Sequence, residues 1–418
     1  MAGEIRDRPP PIIIPLSTHT LVQKTAEGRD DTLRFQLRQI ALAAVALLSI
    51  TMAAAAAARA EGKPAPIEVS AESAILMDGT SGRVLFEKDA HKKMRIASIT
   101  KVMTAILAIE SGKMDQTVKV DGRAVGTEGS SIYLKAGEKL KLRDLVYGLL
   151  LRSGNDAAVA IAIAVAGSES GFVRLMNEKA MELGMLDTHF ANPHGLDDPD
   201  GNHYSTAYDM ALLTKYARQN RTFRTIFKAK YYSAPQEGER WERKWKNKNK
   251  LLFRYKYSTG GKTGFTKRAG RTLISTASKR DLDLIAVTLN DGDDWRDHMN
   301  LFNWAFQNYK MTEIVHKGRI TNVRPGVNEN RLYVARDVKV PLNDEEKDHL
   351  STAVTLFQTG KNEKRADGAP FPAGYLYVKA DGDVIEKVPL FYDPPDKGRG
   401  FWQLFGVVVQ MIAGYGRP

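Results

Sequence analysis

The chain has no cysteine among its 418 residues. Disulfide bridges, a thiolate nucleophile and a zinc site built on thiolates are therefore excluded. The sequence also lacks the H-E-x-x-H spacing, in which one helix supplies two histidine ligands to zinc. Its histidines and acids cluster instead between His189 and His203, in a stretch that prolines and glycines mark as a turn-rich loop. We expect no metal and no cofactor in this protein.

Residues 32–60 contain no acidic side chain. A basic stretch there precedes an apolar run over residues 40–58, and Ala58-Arg59-Ala60 offers a small-x-small cleavage site. This order is typical of a secretory signal peptide, and an uncleaved membrane anchor is the alternative because the run is long enough to span a bilayer. The many alanines make the run weakly hydrophobic and favour cleavage. We therefore expect residues 1–60 to be an N-terminal extension and signal peptide, and the remaining chain to be exported.

The sequence has no recognisable nucleic-acid-binding motif, although its formal net charge is +12. The densest basic patch runs from Arg240 to Lys256 and interleaves lysines and arginines with aromatic residues. Similar patches bind single-stranded nucleic acid, but an exported protein does not meet that partner. Two interpretations stay open, a surface that faces anionic phospholipid or wall polymer and a solvated face without a partner. We expect no nucleic-acid partner.

Three short motifs, each present once, occur in this order: Ser98-Ile99-Thr100-Lys101, Ser153-Gly154-Asn155 and Lys262-Thr263-Gly264. On a helix, residues i and i+3 share a face, so Lys101 can reach the Ser98 hydroxyl. A neutral lysine amine can take that proton and make serine a nucleophile without a histidine. The contexts agree, because an apolar helical run follows the first motif, another follows the second, and a strand follows the third. The sequence therefore predicts an acyl-transfer site.

Four segments carry a resemblance to a known family: residues 97–105, 153–158, 189–197 and 261–266. They resemble the serine-type D-alanyl-D-alanine carboxypeptidases, the low-molecular-mass penicillin-binding proteins of peptidase family S11. The resemblance implies an α+β fold. Its parts are a penicillin-binding, β-lactamase-like transpeptidase domain with an antiparallel sheet flanked by helices, then a small all-β domain and a C-terminal amphipathic helix.

Beyond residue 312 the sequence changes to short alternating runs separated by turn residues, which is typical of β-strands. We assign residues 61–311 to the catalytic domain, 312–396 to a β-domain and 397–418 to an amphipathic membrane-anchor segment. The apolar run 401–413 is too short to span a bilayer as a helix, and its aromatic residues suit a helix lying in the membrane interface. A helix docked on the β-domain is the alternative. These features predict an enzyme peripherally anchored on the periplasmic face of the bacterial inner membrane.

The resemblance implies a catalytic role for three motif residues. Ser98 attacks the carbonyl of the penultimate D-alanine and forms an acyl-enzyme, which water then hydrolyses. Lys101 is the base, and we expect burial together with repulsion from Lys262 to lower its pKa from the ordinary lysine value. Ser153 relays the proton between Lys101, Ser98 and the leaving amine.

Substrate binding is expected from six residues: Asn155, Lys262, Thr263, Gly264, Phe265 and Arg296. Asn155 hydrogen-bonds the substrate backbone, while Lys262 and Thr263 lie near its carboxylate. Gly264 leaves the edge strand open for the peptide to pair with. The resemblance places the oxyanion hole at the backbone N–H groups of Ser98 and Phe265. It also assigns Arg296 to the C-terminal carboxylate of the substrate.

The sequence departs from the family pattern in two respects. Thr266 is followed by Lys267-Arg268 where the family often has Thr-Asp, and these extra cations could alter substrate preference. No Glu-x-x-Leu-Asn segment supplies the deacylating glutamate of class A β-lactamases, so penicillin should acylate Ser98 and leave slowly. The expected partners are peptidoglycan stem peptides and β-lactam antibiotics. A D,D-endopeptidase, a weak transpeptidase and a non-catalytic wall-binding protein are the alternative functions.

Overall fold

The computed structural model describes residues 64–236, 238, 240–320, 332–357 and 372–392. The predicted signal peptide and the predicted membrane-anchor segment lie outside these ranges. The α-helices are α1 Lys101–Glu110, α2 Leu142–Tyr147, α3 Asn155–Ala166, α4 Glu169–Glu182, α5 Ala207–Ala217, α6 Arg221–Phe227, α7 Leu251–Arg254, α8 Asp294–Asn308 and α9 Asp344–Asp348. The strands are β1 Ser73–Asp78, β2 Val84–Lys88, β3 Thr117–Lys119, β4 Lys139–Lys141, β5 Tyr231–Ala234, β6 Arg243–Lys246, β7 Ser258–Thr266, β8 Gly270–Lys279, β9 Leu282–Leu289, β10 Lys310–Val315, β11 Gly318–Arg319, β12 Leu332–Val334, β13 Val338–Leu342, β14 Leu350–Leu356, β15 Gly374–Ala380 and β16 Asp383–Tyr392.

The first sheet has five antiparallel strands in the order β2-β1-β9-β8-β7. Its central strands β1 and β9 are buried almost throughout, and a strand buried on both faces needs a covering layer on each. Alternate residues of β1 accordingly enter different cores. Ile75 and Met77 join the large helical core, while Ala74 and Leu76 face α8. Strand β7, which carries the third motif, is at one end of the strand order.

A layer of helices covers the face of the sheet on which the large core lies. Helices α1 and α3 are apolar around most of their circumference, which is typical of helices enclosed in a core. Helix α5 begins after Thr206, whose hydroxyl accepts a hydrogen bond from the Asp209 N–H, as expected of a capping residue. Within the described ranges no single helix is long and apolar enough to cross a bilayer, and only α3 and α4 together, bent by 85°, meet those criteria.

The C-terminal residues form a second five-stranded antiparallel sheet, in the order β11-β12-β16-β15-β14, and a separate pair of β10 with β13. Strand β15 alternates buried and half-buried residues, the pattern of a sheet with one face on a core. A third hydrophobic core, distinct from the two around the first sheet, lies here and includes Val340, Val378 and Leu390. The helices and antiparallel sheets together are the α+β architecture that the sequence predicts. The domain boundary at 311/312 stays a prediction.

The all-β prediction for the C-terminal region missed the short helix α9. Asn343 begins it, because its side chain accepts from the Glu346 N–H while the Glu346 carboxylate accepts from the Asn343 N–H. This reciprocal pair of bonds satisfies two donors that a helix start otherwise leaves free. The signal was present in the sequence as Asn343 followed three residues later by glutamate.

Glu346 also forms an ion pair with Arg83, which lies between β1 and β2. The guanidinium donates to both carboxylate oxygens of Glu346 and to the carbonyl of Pro341. The Arg83 side chain is 9% exposed and that of Glu346 is 13% exposed. This nearly buried ion pair therefore joins the edge of the first sheet to the C-terminal region.

We expect Arg83→Ala to destabilise the protein by about 3 kcal/mol, because it leaves the nearly buried Glu346 carboxylate without its cation and the Pro341 carbonyl without this donor. Urea unfolding followed by circular dichroism measures the change. The exposed pair of Arg123 with Asp121 provides a control, and Arg123→Ala should leave the unfolding midpoint unchanged because exposed pairs contribute little. Equal midpoints for Arg83→Ala and wild type would contradict the importance of this ion pair.

Candidate active site

Ser98 lies in a short 3-10 turn, Ala97–Thr100, directly before α1. The residue before it, Ala97, has a φ of +48°, in the left-handed region that is unfavourable for a residue with a Cβ. Thr272 of β8 donates to the carbonyl of Ile96 at 3.0 Å, so the turn is joined to the sheet. The serine therefore stands at the junction of the first sheet and the first helix, half-buried.

The Lys101 amine has three hydrogen-bond partners. Its Nζ lies 2.8 Å from Ser98 Oγ, 2.7 Å from Asn155 Oδ1 and 2.6 Å from the carbonyl oxygen of His194. The last two are acceptors only, so they take two N–H hydrogens from the amine. In the neutral amine the lone pair then remains for the Ser98 hydroxyl. The geometry orients the base toward the serine proton.

Burial is the largest cause that lowers the pKa of Lys101 well below the ordinary lysine value, and the positive charges of Lys262 and Lys248 lower it further. The Lys101 side chain is completely inaccessible to water. Lys262 is 1% exposed, and burial together with Lys248 lowers its pKa to about 7. Burial and repulsion by Lys262 act on Lys101 in the direction that the sequence analysis expected. These shifts favour the neutral form of the Lys101 amine, which is the form that can take a proton.

Ser153 is held by Lys262. The Nζ of Lys262 donates to Ser153 Oγ at 2.9 Å and also to the carbonyl of Thr263. Ser153 has a φ of +64° because it ends the π-helical turn Gly148–Arg152 that leads out of α2. Among the described residues no hydrogen bond joins Ser153 to Ser98 or Lys101. Its part in a proton relay therefore stays a prediction, and Lys262 is its direct partner.

The Asn155 side chain is buried and is hydrogen-bonded within the protein. Its Oδ1 accepts from Lys101 and its Nδ2 donates to the carbonyl of Glu128, which fixes the orientation of the amide. Donation of the second Nδ2–H to a substrate carbonyl stays a prediction. The neighbouring Asp156 carboxylate accepts from Ser131 Oγ and from the Ile132 and Leu134 N–H groups. These bonds hold the loop of residues 128–134 beside the second motif.

Strand β7 brings the third motif against the nucleophile. A Cβ on Gly264 would lie 2.9 Å from Ser98 N and 2.3 Å from Thr272 Oγ1, so only glycine allows this approach. Gly264 is predicted to leave the strand edge open for a peptide, and it also allows this close contact with the turn. Thr263 is half-buried and the Phe265 side chain is 66% exposed. The Ser98 N–H therefore lies beside the strand that carries the Phe265 N–H, the second predicted oxyanion donor.

Arg296 forms no hydrogen bond or ion pair with another predicted site residue within the part of the chain that the structure describes. It is in the first turn of α8, its side chain is 74% exposed, and its guanidinium lies 3.8 Å from the Asp293 carboxylate. Among the described residues no contact joins it to Lys262 or Thr263. The assignment of Arg296 to the substrate carboxylate stays a prediction.

Sequence reasoning missed two contributors to the site. Lys248 was counted in the basic patch, whereas its Nζ donates to Ser130 Oγ at 2.9 Å and its charge acts on both Lys101 and Lys262. The His194 carbonyl was missed because a backbone acceptor leaves no mark in a sequence. The basic patch alternates along the chain. The even-numbered residues from Glu242 to Lys250 are exposed, and the odd-numbered residues between them are buried, so Lys248 lies on the exposed side.

Comparisons with known proteins show which proteins the chain is similar to. A family model described as D-alanyl-D-alanine carboxypeptidase matches residues 57–293. The D-alanyl-D-alanine carboxypeptidase DacF of Bacillus subtilis (strain 168) is 31% identical over 346 residues, covering 79% of this chain and 87% of that protein. The D-alanyl-D-alanine carboxypeptidase DacD of Escherichia coli (strain K12) is 35% identical over 283 residues, covering 61% and 68%.

Two solved structures share the fold over most of their length. Penicillin binding protein 5 from Haemophilus influenzae superposes with a TM-score of 0.67 at 26% identity, covering 79% of this chain and 98% of that one. Penicillin binding protein 6B from Escherichia coli superposes with a TM-score of 0.60 at 30% identity, covering 78% and 96%. Both superpositions cover more of the chain than the family model does.

Removing Lys248, the lysine that lies near Lys101 and Lys262, should shift the pH dependence of acylation. Lys248→Gln takes away a positive charge that lowers the pKa of Lys101, so that pKa rises and less of the base is neutral at a given pH. We expect the acid limb of the acylation rate to move to higher pH while the high-pH plateau stays near wild type. Stopped-flow acylation by a chromogenic β-lactam measures this.

Lys250→Gln is the matched control, because Lys250 lies two residues away on the same exposed face. It should leave the acid limb where wild type has it. A limb that moves to lower pH in Lys248→Gln, or equally in both variants, would contradict the electrostatic role of Lys248.

Proposed function

Since the chain belongs to the D-alanyl-D-alanine carboxypeptidase family, and is a serine-type enzyme of that class, we propose that it removes the terminal D-alanine from peptidoglycan stem pentapeptides through an acyl-enzyme on Ser98. The observation that carries the proposal is the set of bonds at Lys101. Two pure acceptors hold the buried amine so that its lone pair faces Ser98 Oγ, 2.8 Å away. That arrangement supplies a nucleophile and its base in one turn of chain.

Acylation begins when neutral Lys101 takes the Ser98 proton. The Ser98 oxygen forms a bond to the carbonyl carbon of the penultimate D-alanine, and the carbonyl oxygen becomes an anion. The N–H groups of Ser98 and Phe265 stabilise this oxyanion. The close approach of β7 to the Ser98 backbone at Gly264 supports that pairing of donors.

Collapse of the tetrahedral intermediate breaks the peptide bond, and the leaving amine of the terminal D-alanine takes a proton. Ser153 is the group that we assign to deliver it, with Lys262 replenishing the Ser153 hydroxyl through their 2.9 Å hydrogen bond. A pKa of about 7 suits Lys262 to exchange a proton at neutral pH. The proton that Lys101 took from Ser98 passes through the Ser153 hydroxyl to Lys262, so that Lys101 is neutral again. Water then attacks the ester, Lys101 takes a proton from that water and returns it to the Ser98 oxygen, and Ser98 leaves as the hydroxyl.

Substrate recognition uses the end strand β7 and the second motif. The peptide pairs along β7, the remaining Nδ2–H of Asn155 donates to a substrate carbonyl, and Lys262 with Thr263 contacts the terminal carboxylate. Arg296 is the further candidate for that carboxylate. The exposed cations Lys267 and Arg268, just beyond β7, would favour stem peptides that carry acidic groups at that end of the site.

We also propose a cellular location for the enzyme. Export by the signal peptide, a catalytic domain over residues 61–311 and a β-domain over 312–396 would present the site to the cell wall. The segment 397–418 would lie in the interface of the inner membrane. β-Lactams would acylate the same serine, because they present a carbonyl and a carboxylate at similar positions.

Replacing the nucleophile tests the mechanism directly. Ser98→Ala should lower D-alanine release from a pentapeptide ending in D-Ala-D-Ala by at least roughly a thousandfold, because no acyl-enzyme can form. It should also abolish labelling by a fluorescent penicillin. Release is measured by a coupled D-alanine assay on the purified mature chain. Labelling of the variant at the wild-type level would contradict the assignment of Ser98.

The same assay separates the alternative functions when a cross-linked peptide dimer is supplied beside the pentapeptide. Release from the pentapeptide alone supports the carboxypeptidase. Faster cleavage of the dimer would favour the D,D-endopeptidase, and no reaction with either would favour a non-catalytic wall-binding protein.

Deleting residues 397–418 tests the anchor. We expect the shortened protein to move from the membrane fraction to the soluble fraction of an osmotic lysate, with its D-alanine release per molecule unchanged. Loss of the apolar run removes the surface that would partition into the interface. A shortened protein that stays in the membrane fraction would contradict the anchor, and a lowered melting temperature would favour the alternative of a helix docked on the β-domain.

A further inference from the structure

The backbone at Ala97, just before the nucleophile, is held by Thr100 and by the backbone at Gly195. Ala97 adopts the left-handed φ of +48° and is buried. The Thr100 hydroxyl donates to the Ala97 carbonyl at 2.8 Å. A Cβ on Gly195 would lie 1.9 Å from that same carbonyl oxygen, so the backbone of the 189–206 loop covers it closely. The Ala97 carbonyl therefore has one well-defined direction at a buried residue.

The direction of that carbonyl matters because the peptide unit is planar. The Ala97 carbonyl and the Ser98 N–H belong to the same peptide bond and point in opposite directions. Fixing the carbonyl therefore fixes the N–H, which is one of the two predicted oxyanion donors. A hydrogen bond accepted by the carbonyl also polarises the peptide and strengthens the N–H as a donor.

His203 is the next group in this arrangement. Its Nδ1 accepts a hydrogen bond from the Ala191 N–H at 3.0 Å, so the ring hydrogen of the neutral imidazole is on Nε2. Nε2 lies 2.8 Å from Thr100 Oγ1 and donates to it. The hydroxyl has a single hydrogen, which this donation leaves for the Ala97 carbonyl. His203 is 3% exposed, and burial lowers its pKa to about 4, which keeps the ring neutral at neutral pH.

We propose that His203 and Thr100 are positioning residues for the oxyanion hole, forming a directed chain of hydrogen bonds from His203 Nε2 through Thr100 Oγ1 to the carbonyl of Ala97. The chain aims the Ser98 N–H at the developing oxyanion without touching the substrate. The inference rests on the proposed function, because it assigns a role to residues behind the same nucleophile. It gives His203, one of the three histidines in the 189–206 loop, a role that its sequence context does not predict.

The test compares two substitutions that break the chain with two that preserve it. His203→Ala and Thr100→Val remove a hydrogen-bonding group, whereas His203→Gln and Thr100→Ser keep a donor and a hydroxyl at the same places. For each variant a chromogenic β-lactam gives the acylation rate constant, and the labelled fraction at saturation counts competent sites. Release of D-alanine from the pentapeptide gives kcat and KM.

We expect His203→Ala and Thr100→Val to lose roughly ten- to a hundredfold in acylation rate and in kcat, because a misaimed oxyanion donor loses stabilisation present only in the transition state. KM should stay within about twofold and the labelled fraction near wild type. The double variant should lose no more than either single one, because both act through one carbonyl. His203→Gln and Thr100→Ser should recover most of the rate.

His298 provides the matched control. It is fully buried, and its two ring nitrogens lie beside the hydroxyls of Ser275 and Thr288, on the side of the sheet that α8 covers. His298→Ala therefore tests what loss of any buried, hydrogen-bonded histidine does to the protein. Its acylation rate per labelled site should equal that of wild type, whatever happens to its stability.

The proposal is overturned if the rate per labelled site is unchanged in His203→Ala or Thr100→Val. It is equally overturned if the variants lose only labelled fraction, which would mean a purely structural role. Additive losses in the double variant would show that the two residues act separately. Should His203→Ala fail to fold, Thr100→Val carries the same test. Failure of the proposed function is a different result, in which wild type itself neither releases D-alanine nor is acylated.

Discussion

Burial of the Lys101 amine is the constraint on which the rest of the structure depends. A lysine in water is protonated at neutral pH and cannot take a proton from serine. Here the side chain is removed from water, and two further cations lie close enough to disfavour its charge. No carboxylate among the described residues forms an ion pair with this amine, and Asp156, which raises the Lys101 pKa, affects it less than burial, Lys262 or Lys248 does. The helices and the sheet must therefore supply the enclosed environment and the stability that the site itself does not provide.

The enclosed amine needs partners that do not restore its charge. Neutral acceptors meet this need, and the structure uses an amide oxygen from the second motif and a carbonyl from the 189–206 loop. The same loop contacts α1 again, where the Thr104 hydroxyl donates to the Pro193 carbonyl. This histidine-containing stretch, whose composition resembles that of a metal site, thus contacts Lys101 and Thr104 through its backbone carbonyls. The carbonyls of Pro193 and His194 accept hydrogen bonds from the buried residues Thr104 and Lys101 of α1.

Much of this could be predicted from the sequence, and the exceptions share a physical cause. The i, i+3 spacing of Ser98 and Lys101, the apolar helices and the alternating strands are local patterns, and the structure has each of them. The relation of Lys101 to His194, of Lys248 to the lysine pair, and of Thr100 to His203 joins residues far apart in the chain. Two of these use backbone atoms or a hydroxyl whose neighbours no local pattern reveals. The short helix α9 is different, because its capping residues were readable and were outweighed by the strands around it.

The nucleophile turn shows why such a site requires the whole fold. Ile96 is bonded by Thr272 from the sheet, Ala97 by Thr100 from its own helix, and Gly195 lies against the Ala97 carbonyl from the loop. No one of these elements alone would keep an alanine at a positive φ, because the conformation is unfavourable by itself. The strained turn can persist only when the sheet, the helix and the loop have all assembled. The catalytic geometry is therefore a property of the folded domain, although its motifs can be read one by one.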